Sequence, residues 1–186
     1  MILCDQTIRQ KIAEGKISIE PYEDSMLQPA SYDLRIDRKF LTFDITQQEC
    51  IDVKKPAANL MREIIINDDE AFILHPGDFA LANTFEIVGV DNQHVGWLEG
   101  KSSLGRLGLV IHATAGFLDP GNKLRMTLEL SNLGRLPIKL YYKMKIAQMA
   151  FGELDAPCAV PYGSPQLNSK YFGDTEVKAS QMYKNF

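Results

Sequence analysis

The chain has 186 residues, 45% hydrophobic and 24% charged, which at about 150 residues per domain implies one globular domain with a sizeable core. Its 20 Lys and Arg against 24 Asp and Glu leave a net charge of −4, which argues against a broad electrostatic grip on nucleic acid or anionic membrane. No apolar run approaches the ~20 residues of a membrane helix, the opening Met1-Ile2-Leu3-Cys4-Asp5 lacks the order of a signal peptide, and three scattered cysteines suit reduced thiols in a cytoplasmic chain.

In chain order, Asp5 is placed to cap a short helix over residues 6–14, with Ile8 and Ile12 at helical spacing and Gly15 as the stop. Strand-like runs then dominate, at 17–19, 31–36, 39–43, 63–66, 71–74, 79–87, 95–98, 109–114, 125–131, 138–142 and 146–151. They are short, rich in Ile, Val, Phe and Tyr, and separated by turns such as His75-Pro76-Gly77-Asp78 and Asp119-Pro120-Gly121. That pattern predicts a mainly β domain, a barrel or sandwich, over residues 1–160. From Pro161 to Phe186 the chain is polar, carries Gly and Pro and shows no obvious core face. Such a tail is expected to be poorly ordered unless something ties it down, and ordering by a ligand is the alternative.

The densest polar cluster is Gly100-Lys101-Ser102-Ser103-Leu104-Gly105-Arg106-Leu107-Gly108. Small residues let backbone N–H groups approach an anion, and two hydroxyls with two cations can hold phosphate; a Gly-rich turn with solvated side chains is the plainer reading. A strand over 109–114 would set Val110, His112 and Thr114 on one face, with His112 either a general base or a structural histidine. Asp119 is either a turn former or a carboxylate held at a strand end. In Met126-Thr127-Leu128-Glu129-Leu130-Ser131 the alternation sets Leu128 and Leu130 against Thr127, Glu129 and Ser131. Glu129 is then a solvent-facing acid, or a general acid/base if that face lines a pocket. Gln148 offers the donor and acceptor needed to read a pyrimidine edge, or is a chance polar residue in an apolar strand.

Several enzyme classes are excluded by absent motifs. Zinc-dependent nucleobase deaminases need His-x-Glu and Pro-Cys-x-x-Cys; here the one Pro-Cys is Pro157-Cys158, and Pro161 stands where the second thiolate belongs. His75, His94 and His112 are too far apart for a local His-x-x-x-His site, so no zinc is assigned. A P-loop, a dinucleotide-binding glycine fingerprint and a nucleophile elbow are also missing.

Taken in order, Gln28-Pro29-Ala30-Ser31-Tyr32-Asp33-Leu34-Arg35, Gly100-Lys101-Ser102-Ser103-Leu104-Gly105-Arg106, Thr114-Ala115-Gly116-Phe117-Leu118-Asp119-Pro120-Gly121, Thr127-Leu128-Glu129-Leu130-Ser131-Asn132, Lys145-Ile146-Ala147-Gln148 and Ser169-Lys170-Tyr171 resemble the motifs of the dCTP deaminase/dUTPase family. The resemblance covers nearly the whole chain. It implies a distorted β-barrel (β-clip, dUTPase-like) subunit in a homotrimer, with active sites between subunits and zinc-independent deamination of dCTP. Glu129 then matches the general acid/base, and Ser102 and Arg106 match the partners that position the water and polarise the base. Backbone at Ala115 would help hold that water. Lys101, Ser103, Gln148, Tyr162 and Lys170 match nucleotide and triphosphate contacts, with Leu104, Gly105, Thr127, Leu128 and Asp174 beside them. Mg²⁺ would come with the triphosphate, held by phosphate oxygens and water rather than directly by protein. The tail over 161–186 would close as a lid, and dTTP inhibition is a family trait.

Ala115-Gly116-Phe117 before Asp119 resembles the bifunctional type, which continues from dUTP to dUMP and diphosphate and so feeds thymidylate synthesis; Asp119 would activate the second water. The alternatives are a monofunctional deaminase releasing dUTP, a pure dUTPase, which would not need Glu129, and a non-catalytic nucleotide-binding regulator on the same scaffold. The chain departs from the pattern twice. Asn122-Lys123-Leu124-Arg125 follows Asp119-Pro120-Gly121 where the family has an aromatic and then a glycine, and Asp174 stands where a glutamine is expected.

Overall fold

The computed structural model describes residues 1–46 and 50–186. Helix α1 (Asp5–Ala13) is followed by strands β1 (Ile17–Glu20), β2 (Leu27–Gln28) and β3 (Ser31–Phe43). Next come β4 (Met61–Ile65), β5 (Ala71–Leu74), β6 (Phe79–Val90) and β7 (His94–Gly100). A one-turn helix α2 (Ser102–Gly105) leads to β8 (Leu109–Val110), β9 (Phe117–Leu118), β10 (Lys123–Asn132), β11 (Ile138–Tyr141) and β12 (Lys145–Glu153). Among the described residues no helix is long and apolar enough to cross a membrane.

One curled sheet runs β8-β10-β6-β3-β12-β7-β9, with β1 added on β6 and β2 and β4 on β3. The long strand β3 holds it together. Residues 32–35 of β3 pair with β12, and residues 40–42 pair with β6. The expected strands at 31–36 and 39–43 are therefore one strand that passes from one half of the curl to the other. β5 and β11 form a separate two-stranded ribbon that lays Leu74 and Leu140, both fully buried, over the core. Phe72 of that ribbon stacks on Phe40 at 4.1 Å and 5°.

The alternation expected in β10 is present: Leu124, Met126, Leu128 and Leu130 are buried, while Arg125, Thr127, Glu129 and Ser131 face the other side. Its register on β6 slips between Arg125 and Thr127. The slip costs Met126 a ladder partner, and Thr84 Oγ1 replaces it by accepting the Met126 N–H at 3.0 Å.

Three expectations are corrected. Cys4, not Asp5, occupies the N-cap of α1, and Asp5 is the first helical residue, where its charge still favours the positive end of the helix; Gly15 ends the turn at φ +71°. The strand expected at 109–114 stops at Val110. The tail has a core face after all: Val177 is buried against Leu41 and Leu81. The Asn83 amide, oriented with its oxygen outward, accepts the Val177 N–H at 2.8 Å.

Among the described residues the most deeply buried carboxylate is that of Glu86, which is fully enclosed. Its carboxylate takes the Arg35 N–H at 2.8 Å and Arg35 Nε at 2.6 Å, while Glu23 takes another guanidinium nitrogen at 2.7 Å. A buried pair contributes little over an apolar pair of equal shape, but losing one partner strands the other. Glu86→Ala is thus expected to lower stability by about 3–5 kcal/mol, and a Glu86→Leu/Arg35→Met double variant to recover only part of it, because the residue-35 N–H still loses its acceptor; urea unfolding of the three proteins checks both.

Candidate active site

The sheet curls without closing. Its two edges, β8 and β9, are joined by residues 111–116, which leave the ladder and cross the gap. They stay attached on both sides: Glu129 N–H donates to the Ile111 carbonyl (2.8 Å), and Leu98 N–H to the Gly116 carbonyl (2.7 Å). Gly116 lies tight in this crossing, since a Cβ there would come within 2.8 Å of the Leu98 carbonyl and 3.4 Å of the His112 ring. Because the crossing is not a strand, its N–H groups are free for other acceptors. Those of Ala113 and Thr114 donate to Glu129 Oε2, at 2.7 and 3.1 Å. His112 tucks beneath, with Nδ1 buried and without a hydrogen-bond partner.

Glu129 opens into a cavity of about 620 Å³, which Ala115, Asp119, Asn122, Thr127 and Tyr162 also line. The tail supplies Tyr171, Lys178 and Ser180 to the same wall. Phe43, Met61, Phe79 and Leu81 make the other end apolar. Asp119 sits at the close of β9, and burial pushes its carboxyl above the usual carboxylate range. Burial likewise raises the Tyr162 phenol, so it stays protonated and able to donate.

Lys101, Ser102, Gly105 and His112 line a second, smaller opening of about 250 Å³. Ser102, Ser103, Gly105 and Arg106 are exposed on α2 and its end, whereas Leu104 packs back on the core. Lys101 is held by a strand residue, since its ammonium donates to Asp33 Oδ1 and Lys145 donates to Asp33 Oδ2 at 3.1 Å. Gln148, cross-strand from Asp33, accepts the Ser31 hydroxyl at 3.0 Å. Two cations and an amide thus converge on one patch of β3 and β12.

The residues expected to act together therefore fall into two groups. Glu129, Asp119, Ala115, Thr127 and Tyr162 share the large cavity; Lys101, Ser102, Ser103, Gly105, Arg106 and Gln148 lie around α2 and the sheet patch beside it. Leu128 is fully buried in the core and lines neither opening. Lys170 is half-buried in the tail and lines neither opening. Asp174 turns its carboxylate to Lys178, which neutralises the charge that replaces the expected glutamine. Reading the sequence assigned no role to Asp33, Lys145, Tyr171 or Lys178. A carboxylate inside the apolar run Tyr32-Asp33-Leu34 was the available signal for the first, since an acid buried to 2% needs a partner.

The family model described as dCTP deaminase-like matches residues 2–154. The chain belongs to this dCTP deaminase-like family. It is 48% identical over its full length to a protein of Streptomyces avermitilis named "dCTP deaminase, dUMP-forming", covering 97% of that protein. A Corynebacterium jeikeium protein of the same name is also 48% identical, with 99% covered. Among solved structures, the 2'-deoxycytidine 5'-triphosphate deaminase of Agrobacterium tumefaciens aligns over 81% of this chain with a TM-score of 0.63 at 22% identity. The chain spans about half of that longer polypeptide, 48%, and the likeness shows the shared fold.

A carboxyl whose pKa is raised by folding binds its proton more tightly in the folded chain. Its contribution to stability is full below the unfolded pKa and is lost as pH rises through the folded one. Asp119→Asn, neutral at every pH, is expected to raise the melting temperature near neutrality and to lose that advantage below about pH 4. Calorimetric melting of both proteins between acid and neutral pH checks the sign.

Proposed function

We propose that this chain hydrolyses dCTP to ammonia and dUTP and carries the product on to dUMP and diphosphate, as the names of its full-length relatives describe for those proteins. The observation that carries the reading is that Glu129 and Asp119, one carboxylate for each hydrolysis, open into a single cavity.

In the first step water attacks C4 of cytosine. Both backbone donors bind the same oxygen of Glu129, which leaves Oε1 to take the proton of that water and return it to N3. The C4 hydroxyl then gives its remaining proton, through the same carboxylate, to the amino nitrogen; the C4–N4 bond breaks, ammonia leaves and the carbonyl of uracil forms. The Ala115 backbone lies on the same wall to steady the water. In the second step Asp119 activates a water for attack on the α-phosphorus, and diphosphate leaves. A magnesium ion brought in with the nucleotide would offset phosphate charge, and Lys101 and Lys145 would share that task from the protein side. Lys101, Lys145, Gln148 and the α2 hydroxyls form the cationic, donor-rich cradle that suits a triphosphate.

That the two groups line different openings of one copy supports a site shared between copies of the chain in a homotrimer. Ser102 and Arg106 of one copy would complete the cavity that holds Glu129 in the next. Leu107, Leu133 and Leu136, all more than half exposed, lie on the loops beside α2, where such a contact would bury them. The tail, already seated on the cavity wall, would exclude water once nucleotide is bound.

Product analysis with dCTP and Mg²⁺ tests the chemistry: dUMP without a pool of dUTP is expected, and accumulating dUTP would leave the deaminase alone. Glu129→Gln is expected to slow ammonia release by about 10²–10⁴-fold with dCTP binding retained, and Asp119→Asn to lose diphosphate release selectively. Subunit sharing has its own test. Glu129→Gln and Ser102→Ala proteins, each inactive, are expected to regain about a quarter of wild-type activity when co-assembled, because random assortment restores that share of sites; no recovery would place the site within one copy.

A further inference from the structure

The tail returns twice to the turn that carries Asp119. At its start, the Tyr162 N–H donates to the Pro120 carbonyl at 2.8 Å. Farther along, the Gly173 N–H donates to Asn122 Oδ1 at 3.3 Å, and the next residue, Asp174, accepts the Arg125 N–H at 2.8 Å. Asn122 is 5% exposed. Its own N–H reaches the Asp119 carbonyl at 3.2 Å and its carbonyl accepts the Val90 N–H at 3.0 Å, so its backbone belongs to the turn and to β6. Any residue in that conformation makes those two bonds. The side-chain oxygen is different: it binds both the Lys123 N–H (3.0 Å) and the tail, and only an acceptor of this length at position 122 does so. On the tail side Gly173 has φ +68°, and the Asp174 N–H closes a turn on the Tyr171 carbonyl at 3.3 Å. That turn sets Tyr171 on the cavity wall with Asp119.

We propose that Asn122 is a positioning residue that clips the tail to the Asp119 turn. Diphosphate release at Asp119 then depends on the clip more than deamination at Glu129 does. The clip is independent of the activity; the unequal dependence rests on the function proposed above. The Asn122 oxygen and the Arg125 N–H hold consecutive tail residues, Gly173 and Asp174, so removing the Asn122 oxygen leaves that stretch of the tail with the Arg125 bond as its remaining hold on β10. A carboxylate at 122 keeps the acceptor, whereas an alkyl side chain removes it.

The test uses full-length Asn122→Ala, Asn122→Leu and Asn122→Asp proteins. Tryptic cleavage of the tail at Lys170 and Lys178, without nucleotide, reads how often the tail opens. Losing one hydrogen bond is expected to speed cleavage about five- to tenfold in the Ala and Leu proteins, with Asp within about twofold of wild type. The Leu protein fills the volume, so it stands in for Ala if Ala melts early. With dCTP and Mg²⁺, Ala and Leu are expected to shift product from dUMP toward dUTP and to raise KM, while ammonia release falls less than dUMP formation. Unchanged cleavage in both Ala and Leu, or Asp as fast as Ala, overturns the clip. Faster cleavage with ammonia and dUMP lost in equal proportion overturns the unequal dependence. A wild-type protein that releases no ammonia refutes the proposed activity, and the proteolysis still decides the clip.

Discussion

The pairing of β10 with β6 decides which way Glu129 faces, and most of the site follows from that. Leu128 and Leu130 are fully buried on either side of it, so the pleat sends the carboxylate away from the core. A shift of one residue would bury Glu129 and expose both leucines. Upstream, the irregularity at Arg125–Thr127 puts two extra residues of β6 into the pairing, and Thr84, within that stretch, bonds the freed Met126 N–H. The register that presents the carboxylate is therefore fixed by apolar burial at one end and by a single hydroxyl at the other.

The gap in the sheet supplies what the strands do not. A closed ladder would commit the N–H groups of residues 113 and 114 to a neighbouring strand. Because the chain crosses the gap in irregular form, those donors turn to Glu129 instead. The same crossing carries Ala115 to the cavity and leads into β9 and Asp119. Irregular backbone is costly to bury unless its polar groups are paired, and here the pairing of the crossing and the placement of the carboxylate are one set of hydrogen bonds.

Much of this was legible in the chain itself. Period-two alternation placed the outward face of β10, and Gly and Pro punctuation placed most of the strands. The β-rich reading failed at Ile111–Thr114, where apolar and β-branched residues look like strand but the backbone leaves the ladder to cross from β8 to β9 and its N–H groups turn to Glu129. It divided β3 because Asp37 and Arg38 resemble a turn; in the fold Asp37 pairs with Arg125, and Arg38 lies 4.0 Å over the Tyr142 ring. The tail's attachments were invisible for a different reason. They are backbone N–H groups meeting Asn122 and Asn83 across long separations in sequence, and no local pattern reports them. Asp33 stands inside a recognisable motif, yet its hold on Lys101 and Lys145 needs β3, β12 and the end of β7 brought together.

β3 runs through both halves of the curl, pairing near Asp33 with the strand of Gln148 and near Leu41 with β6, the support of β10. The lysine cradle and the carboxylate cavity are thus braced by one continuous stretch of backbone. A local opening of β3 would slacken both together, because neither half has a complete sheet of its own to fall back on. Damage at this one strand is therefore expected to reach the Asp33 lysine patch and the Glu129 cavity in the same event, rather than one without the other.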